Sequence, residues 1–111
     1  TDPDPHTAQA IGELVAELWS LRRMSLSVAA ALQRGEAPDV AAALVKDLGT
    51  RFESEVFERV RLLVETAPSL HARRLLDQLL AQAILHSPGF TLRGGTNEIL
   101  RGVVARALGL R

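Results

Sequence analysis

Nowhere in this chain do apolar and polar residues alternate for long enough to build a strand; the apolar positions return instead at steps of three and four. That spacing stacks side chains on one face of a 3.6-residue turn, so the chain is held to packed helices. The first stripe, Ile11, Leu14, Val15, Leu18, Leu21, Val28 and Leu32, predicts a helix over 7–33, capped by Thr7 and ended by Gly35. Pro38 presets the backbone for a second start, and Asp39 falls in a first turn where the helix dipole favours an acid. Leu44, Val45, Leu48, Phe52, Val56, Val60 and Leu63 line that helix until Thr66-Ala67-Pro68-Ser69 breaks it. A third helix is expected from about Leu70 to Leu85, with Leu75, Leu76, Leu79, Leu80 and Ala83 buried and a stop before the Ser87-Pro88-Gly89 turn. The fourth starts at Thr96, and Ile99, Leu100, Val103, Val104, Ala107 and Leu108 make it apolar on more than one side. The expected architecture is all-α, an antiparallel helical bundle of about four helices over residues 7–111, with 1–6 as a flexible lead-in.

A chain of 111 residues is long enough for one domain with a modest core. Hydrophobic residues are 47 % but aromatic ones only 4 %, so that core is built from Leu, Val, Ile and Ala. Thirteen basic residues balance thirteen acidic ones, leaving no long-range field for nucleic acid or an anionic membrane, and neither partner is expected. Charges interrupt every apolar run, so no membrane span is expected, and no secretory leader is visible. Cysteine is absent, which fits a cytoplasmic protein and removes disulfides, thiolate metal sites and cysteine nucleophiles. The start at Thr1, without Met, suggests a processed product or a piece of something longer. Trp19 and Phe57 lie off their stripes and the last helix is broadly apolar, which points to contact with another chain or a missing domain.

Chemistry-bearing clusters are few. His6, His71 and His86 are far apart and lack ligand spacing, so no metal site is expected, and His86 is placed near a helix C-terminus where it meets the dipole. Glu53, Glu55 and Glu58 read as a solvated face, as do Arg22-Arg23 and Arg73-Arg74. The stretch from Leu92 to Arg101 stands out, because Gly94-Gly95 removes side-chain bulk just before a helix start at Thr96. Uncapped amides and the positive dipole end at such a start favour an anion such as a phosphate. A plain helix C-cap followed by an N-cap gives the same residues, so both readings stand at this point.

Gly94-Gly95-Thr96-Asn97-Glu98-Ile99, then Arg101, Val103-Val104-Ala105-Arg106 and Leu108-Gly109-Leu110, resemble the end of the C-terminal helical domain of the acyl-CoA dehydrogenase family, in its bacterial type. Gly35-Glu36, and Ala43 with Lys46 and Asp47 where the family often has an Ala-x-x-Lys element, extend the resemblance to about 8–111. It implies a flavoprotein of fatty acid metabolism that oxidises the Cα–Cβ bond of an acyl-CoA thioester. A carboxylate takes the α proton and the flavin of FAD takes hydride from Cβ. It also implies N-terminal and middle domains outside this chain and assembly as a homo- or hetero-oligomer.

Carried over by position, the resemblance places Gly94, Gly95, Thr96 and Glu98 at the cofactor, Thr96 as the threonine that touches the flavin. No catalytic residue is carried over, because Gly94 stands where many relatives hold the glutamate base. Relatives with glycine there keep the base on an earlier helix. The family's Gln-x-x-Gly-Gly-x-Gly element, which receives the adenosine half from a neighbouring subunit, is replaced by Leu63-Val64-Glu65-Thr66-Ala67-Pro68-Ser69. Leu85-His86 replaces a common Arg-Asp pair. The leading expectation is a domain that helps complete the FAD and acyl-CoA site and the oligomer interface, with the 111-residue piece inactive and flavin-free by itself. The alternatives are a non-catalytic scaffold subunit or half-site of a heteromeric enzyme, and a stand-alone helical interaction module.

Overall fold

The computed structural model describes residue 2 and residues 4–110, and its regular elements are four helices: α1 (Pro5–Gln33), α2 (Asp39–Leu63), α3 (Leu75–Phe90) and α4 (Asn97–Ala107). No strand occurs among the described residues, so the fold is all-α as the periodicity requires. No helix among them is long and apolar enough to cross a membrane.

The helix ends differ from expectation in instructive ways. Of the expected 1–6 lead-in, residues 1 and 3 lie outside the described residues, while Pro5 and His6 already belong to α1. Asp4, not Thr7, is the cap: its Oδ1 accepts the N–H groups of His6 and Thr7 at 3.0 and 3.1 Å, and its Oδ2 accepts the Thr7 hydroxyl at 2.6 Å. Pro5 sits at the first helical position, where its missing N–H costs nothing. At the other end the N–H of Gly35 donates to Leu32 O and that of Glu36 to Ala31 O, the paired closure of a Schellman motif.

The third helix begins at Leu75, five residues later than expected. Asp77 causes the delay. Its carboxylate accepts from Ala67 N at 3.1 Å and from Arg74 Nη2 at 2.8 Å, and Arg74 Nη2 also donates to Glu65 O at 2.6 Å. These bonds hold 64–74 as a fastened loop, so Arg74, exposed as expected, also acts as a tether. The Arg74 guanidinium, together with the Ala67 amide, holds the Asp77 carboxyl below its ordinary value. α3 also runs through Pro88 to Phe90, so His86 is not in the last turn as expected. Proline at 88 frees the Ile84 carbonyl, and Ser87 Oγ donates to it at 3.0 Å, which lets the helix continue.

α2 is the hub: α1, α3 and α4 each pack against it and none of them against another. A helix with neighbours on several sides needs apolar residues on more than one face. Phe57, expected to seek another chain, is buried on the same side of α2 as Ala43, Asp47 and Thr50. The arrangement is open. The radius of gyration is 17.1 Å with extents of 48 × 28 × 28 Å, against about 13 Å for a compact chain of this length. A groove of about 370 Å³, floored by Leu21, Met24, Leu48 and Phe52, runs between α1 and α2. Several residues expected inside are exposed as a result, among them Ile11, Val15, Leu18 and Leu32 on α1, Leu44 on α2, Leu75 and Leu79 on α3, Ile99 on α4 and Leu108 just after it.

Candidate functional site

The glycine bend between α3 and α4 is fixed from both sides. On its approach, Arg93 forms an ion pair with Glu53 of α2 and lays its guanidinium carbon 5.6 Å from the centre of the Phe90 ring. Beyond it, Asn97, the first residue of α4, is 8 % exposed and turns its amide into α2. Asn97 Nδ2 donates to Asp47 Oδ1 at 2.5 Å and to Thr50 Oγ1 at 3.0 Å, with the Asp47 carbonyl oxygen at 3.3 Å. Thr50 Oγ1 in turn donates into its own helix, where Lys46 O lies at 3.0 Å. Arg101 Nε reaches Asp47 Oδ1 at 3.3 Å from the next turn of α4. Asp47, Thr50 and Asn97 are all buried, and no buried side-chain polar atom among the described residues lacks a partner. This polar contact sets the register of α4 on α2, and with it the position of the bend.

Gly94 has φ +66° and Gly95 φ +104°, conformations that side-chain-bearing residues rarely adopt. Gly94 is exposed, while Gly95 and Thr96 are half-buried, so the bend opens to the surface. A Cβ on Gly94 would meet only Lys46 Cε, at 3.5 Å, and one on Gly95 would meet Leu100 and Ile99 at ordinary contact distance. Backbone conformation, not crowding, is what demands glycine here. A recess of about 310 Å³ lies beside the bend, lined by Lys46, Gly49, Thr50, Glu53 and Arg93 among others.

Thr96 occupies the N-cap position, but its side chain does not cap α4. Glu98 stands in the first turn of α4, where the helix dipole favours an acid. The carboxyl of Glu98 is held below its ordinary value by its own backbone N–H first and by the Thr96 hydroxyl second, with Arg101 adding attraction and Asp47 opposing. Glu98 is exposed, so this carboxylate sits where an incoming anion would have to bind. A phosphate at the start of α4 therefore meets a negative charge already in place, with the Asp47 carboxylate beneath it. The four residues singled out from the sequence thus lie together on one accessible bend. The sequence reading missed the support under it: Thr50 went unnoticed, and Asp47 and Asn97 were seen only as parts of a motif.

A model of the acyl-CoA dehydrogenase C-terminal domain matches residues 3–109. No curated protein and no solved structure matched the chain. With nearly the whole chain covered by that one domain, and a four-helix all-α fold to go with it, the protein belongs to the acyl-CoA dehydrogenase family through its C-terminal domain.

Proposed function

We propose that the chain serves as the C-terminal domain of an FAD-dependent acyl-CoA dehydrogenase, in which the bend Gly94-Gly95-Thr96 lies against the flavin and helps close the acyl-CoA site. The observation that carries this reading is the open bend at Gly94 and Gly95, anchored to α2 through Asn97. Bare backbone over two residues lets a flat ring come close, and Glu98 turns away phosphate, so the fit favours an uncharged ring edge over the pyrophosphate. The flavin, when bound, accepts the hydride from Cβ. Thr96 would present its hydroxyl to that ring, and Asp47, Thr50 and Asn97 would keep the bend from shifting when the acyl chain enters. The base that removes the α proton comes from elsewhere, because Gly94 offers no side chain where many relatives hold a glutamate.

The test is to purify the longest polypeptide that the gene encodes and follow flavin absorbance and acyl-CoA-dependent bleaching. Bound FAD that is bleached by acyl-CoA supports the reading. A flavin-free protein of full length, or full activity from residues 1–111 alone, sinks it. A second reading, a non-catalytic scaffold subunit, is favoured by one observation: the loop 64–74 is tied down by Asp77 and Arg74 where an adenosine-binding glycine run would be needed. In that case the full-length protein binds no flavin alone and gains it only with a second, competent subunit.

A further inference from the structure

We propose that the recess between Lys46 and Arg93, beside the glycine bend, is a binding site for the carboxylate of a small organic acid. Lys46, Gly49, Thr50 and Glu53 return at steps of three and four on one face of α2 and form its floor, and Arg93 closes it from the connection between α3 and α4. Lys46 is half-buried, and its Cε lies 3.5 Å from where a Cβ on Gly94 would stand. No carboxylate comes within 4 Å of its ammonium group among the described residues. Asp47, its neighbour in sequence, is turned to Asn97 and Arg101. Arg93 already has Glu53 as counter-ion, and its guanidinium carbon is 5.6 Å from the centre of the Phe90 ring, so it is held in place with its charge balanced. Two cations thus face one carboxylate, and the charge left over is that of Lys46. A half-buried ammonium group without a counter-ion draws an anion.

Gly49 marks where the body of the acid lies. Glycine inside a helix weakens it, and nothing in the fold calls for one here, because a Cβ on Gly49 would meet no atom within 4 Å. The bare backbone leaves a recess of about 310 Å³ open over the middle of α2, against about 30 Å³ for one water, so a few carbons fit beside the carboxylate. Charge chooses the class of anion. A carboxylate brings the single negative charge that Lys46 lacks, whereas a phosphate dianion sets a second one beside Glu53. The Thr50 hydroxyl is committed to Lys46 O and to the Asn97 amide, so the floor has no free hydroxyl for a sugar or polyol. Val45 gives the recess an apolar edge. The site is built from α2 and Arg93 alone, and it stands whether or not a flavin binds.

Butyrate is the probe, with butyramide as its uncharged counterpart and inorganic phosphate as competitor. Binding to the longest polypeptide that the gene encodes is read by saturation transfer to the ligand protons. Butyrate is expected to bind at about 1–10 mM, and butyramide at least about tenfold more weakly. Lys46→Gln is expected to weaken butyrate about tenfold or more with the thermal melt unchanged. Gly49→Ala should raise the melting midpoint yet lose the site, while Gly102→Ala raises the midpoint and keeps butyrate. Absence of transfer to butyrate overturns the proposal, as does equal binding of butyrate and butyramide. So do full affinity in Lys46→Gln or Gly49→Ala, phosphate that binds more tightly than butyrate, or a longer form of the polypeptide whose own carboxylate already sits on Lys46.

Discussion

α2 carries two unlike contacts. Toward α4 it offers a buried polar cluster, in which Asp47 and Thr50 engage Asn97, with Arg101 beside them. Toward α1 the contact is a row of half-buried aliphatics beside an open groove, stitched at the surface by Arg59 to Glu17 at 2.7 Å. Directional bonds between buried groups tolerate one geometry, whereas aliphatic rows slide at little cost. The contact that fixes a position is the one under the glycine bend. The looser contact belongs to the helix whose other face is uncovered.

The sharpest way to break this contrast is to truncate a leucine on each side. Leu100, 8 % exposed on α4, is expected to cost about 3 kcal/mol on Leu100→Ala, measured by urea unfolding. Leu18→Ala, at a site 53 % exposed, is expected to cost under about 0.5 kcal/mol where the chain is monomeric. Equal losses would mean that the two contacts are alike after all. Next in size, Asp47→Ala removes an acceptor from the buried Asn97 amide and is expected to cost about 2 kcal/mol. Arg59→Ala, which cuts the surface tie on the α1 side, should fall within the error of the same measurement.

A smaller effect separates two glycines flanking the same contact. Gly95→Ala forces a side chain onto φ +104° and is expected to lose about 1–2 kcal/mol. Gly102→Ala, inside α4 with nothing within 4 Å of the added carbon, is expected to gain up to about 0.8 kcal/mol by helix propensity. Matched thermal melts of the two variants check the opposite signs. The smallest effect is acid sensitivity of the loop 64–74. Asp77 is held below 3.8 by Arg74, so its contribution is present above that value and fades as pH falls through the lower folded-state value. Asp77→Asn should flatten that dependence in an acid titration followed by amide exchange at Ala67.

The helices were legible because burial of one face imposes a period, and that period survives without knowledge of what lies opposite. The family was legible for another reason, since the run from Gly94 to Leu110 is a motif of residue types at fixed spacing. What stayed hidden depended on partners distant along the chain. Asp47, Thr50 and Asn97 look like ordinary surface polar residues until α4 is laid on α2, because their bonds to one another join two helices far apart along the chain. Phe57 was misjudged for the same reason, as one stripe was expected where a hub helix needs two. The start of α1 was readable and overlooked: Asp4 followed by Pro5 is a cap with its preferred successor. The late start of α3 was not, because it depends on Asp77 reaching ten residues back to Ala67.

Since α1, α3 and α4 meet only on α2, the molecule has no closed ring of contacts to force its parts to melt together. Loss of the first helix leaves the contacts that seat the bend in place. Changes along α1 are thus insulated from the glycine bend, and each can vary without a matching change in the other.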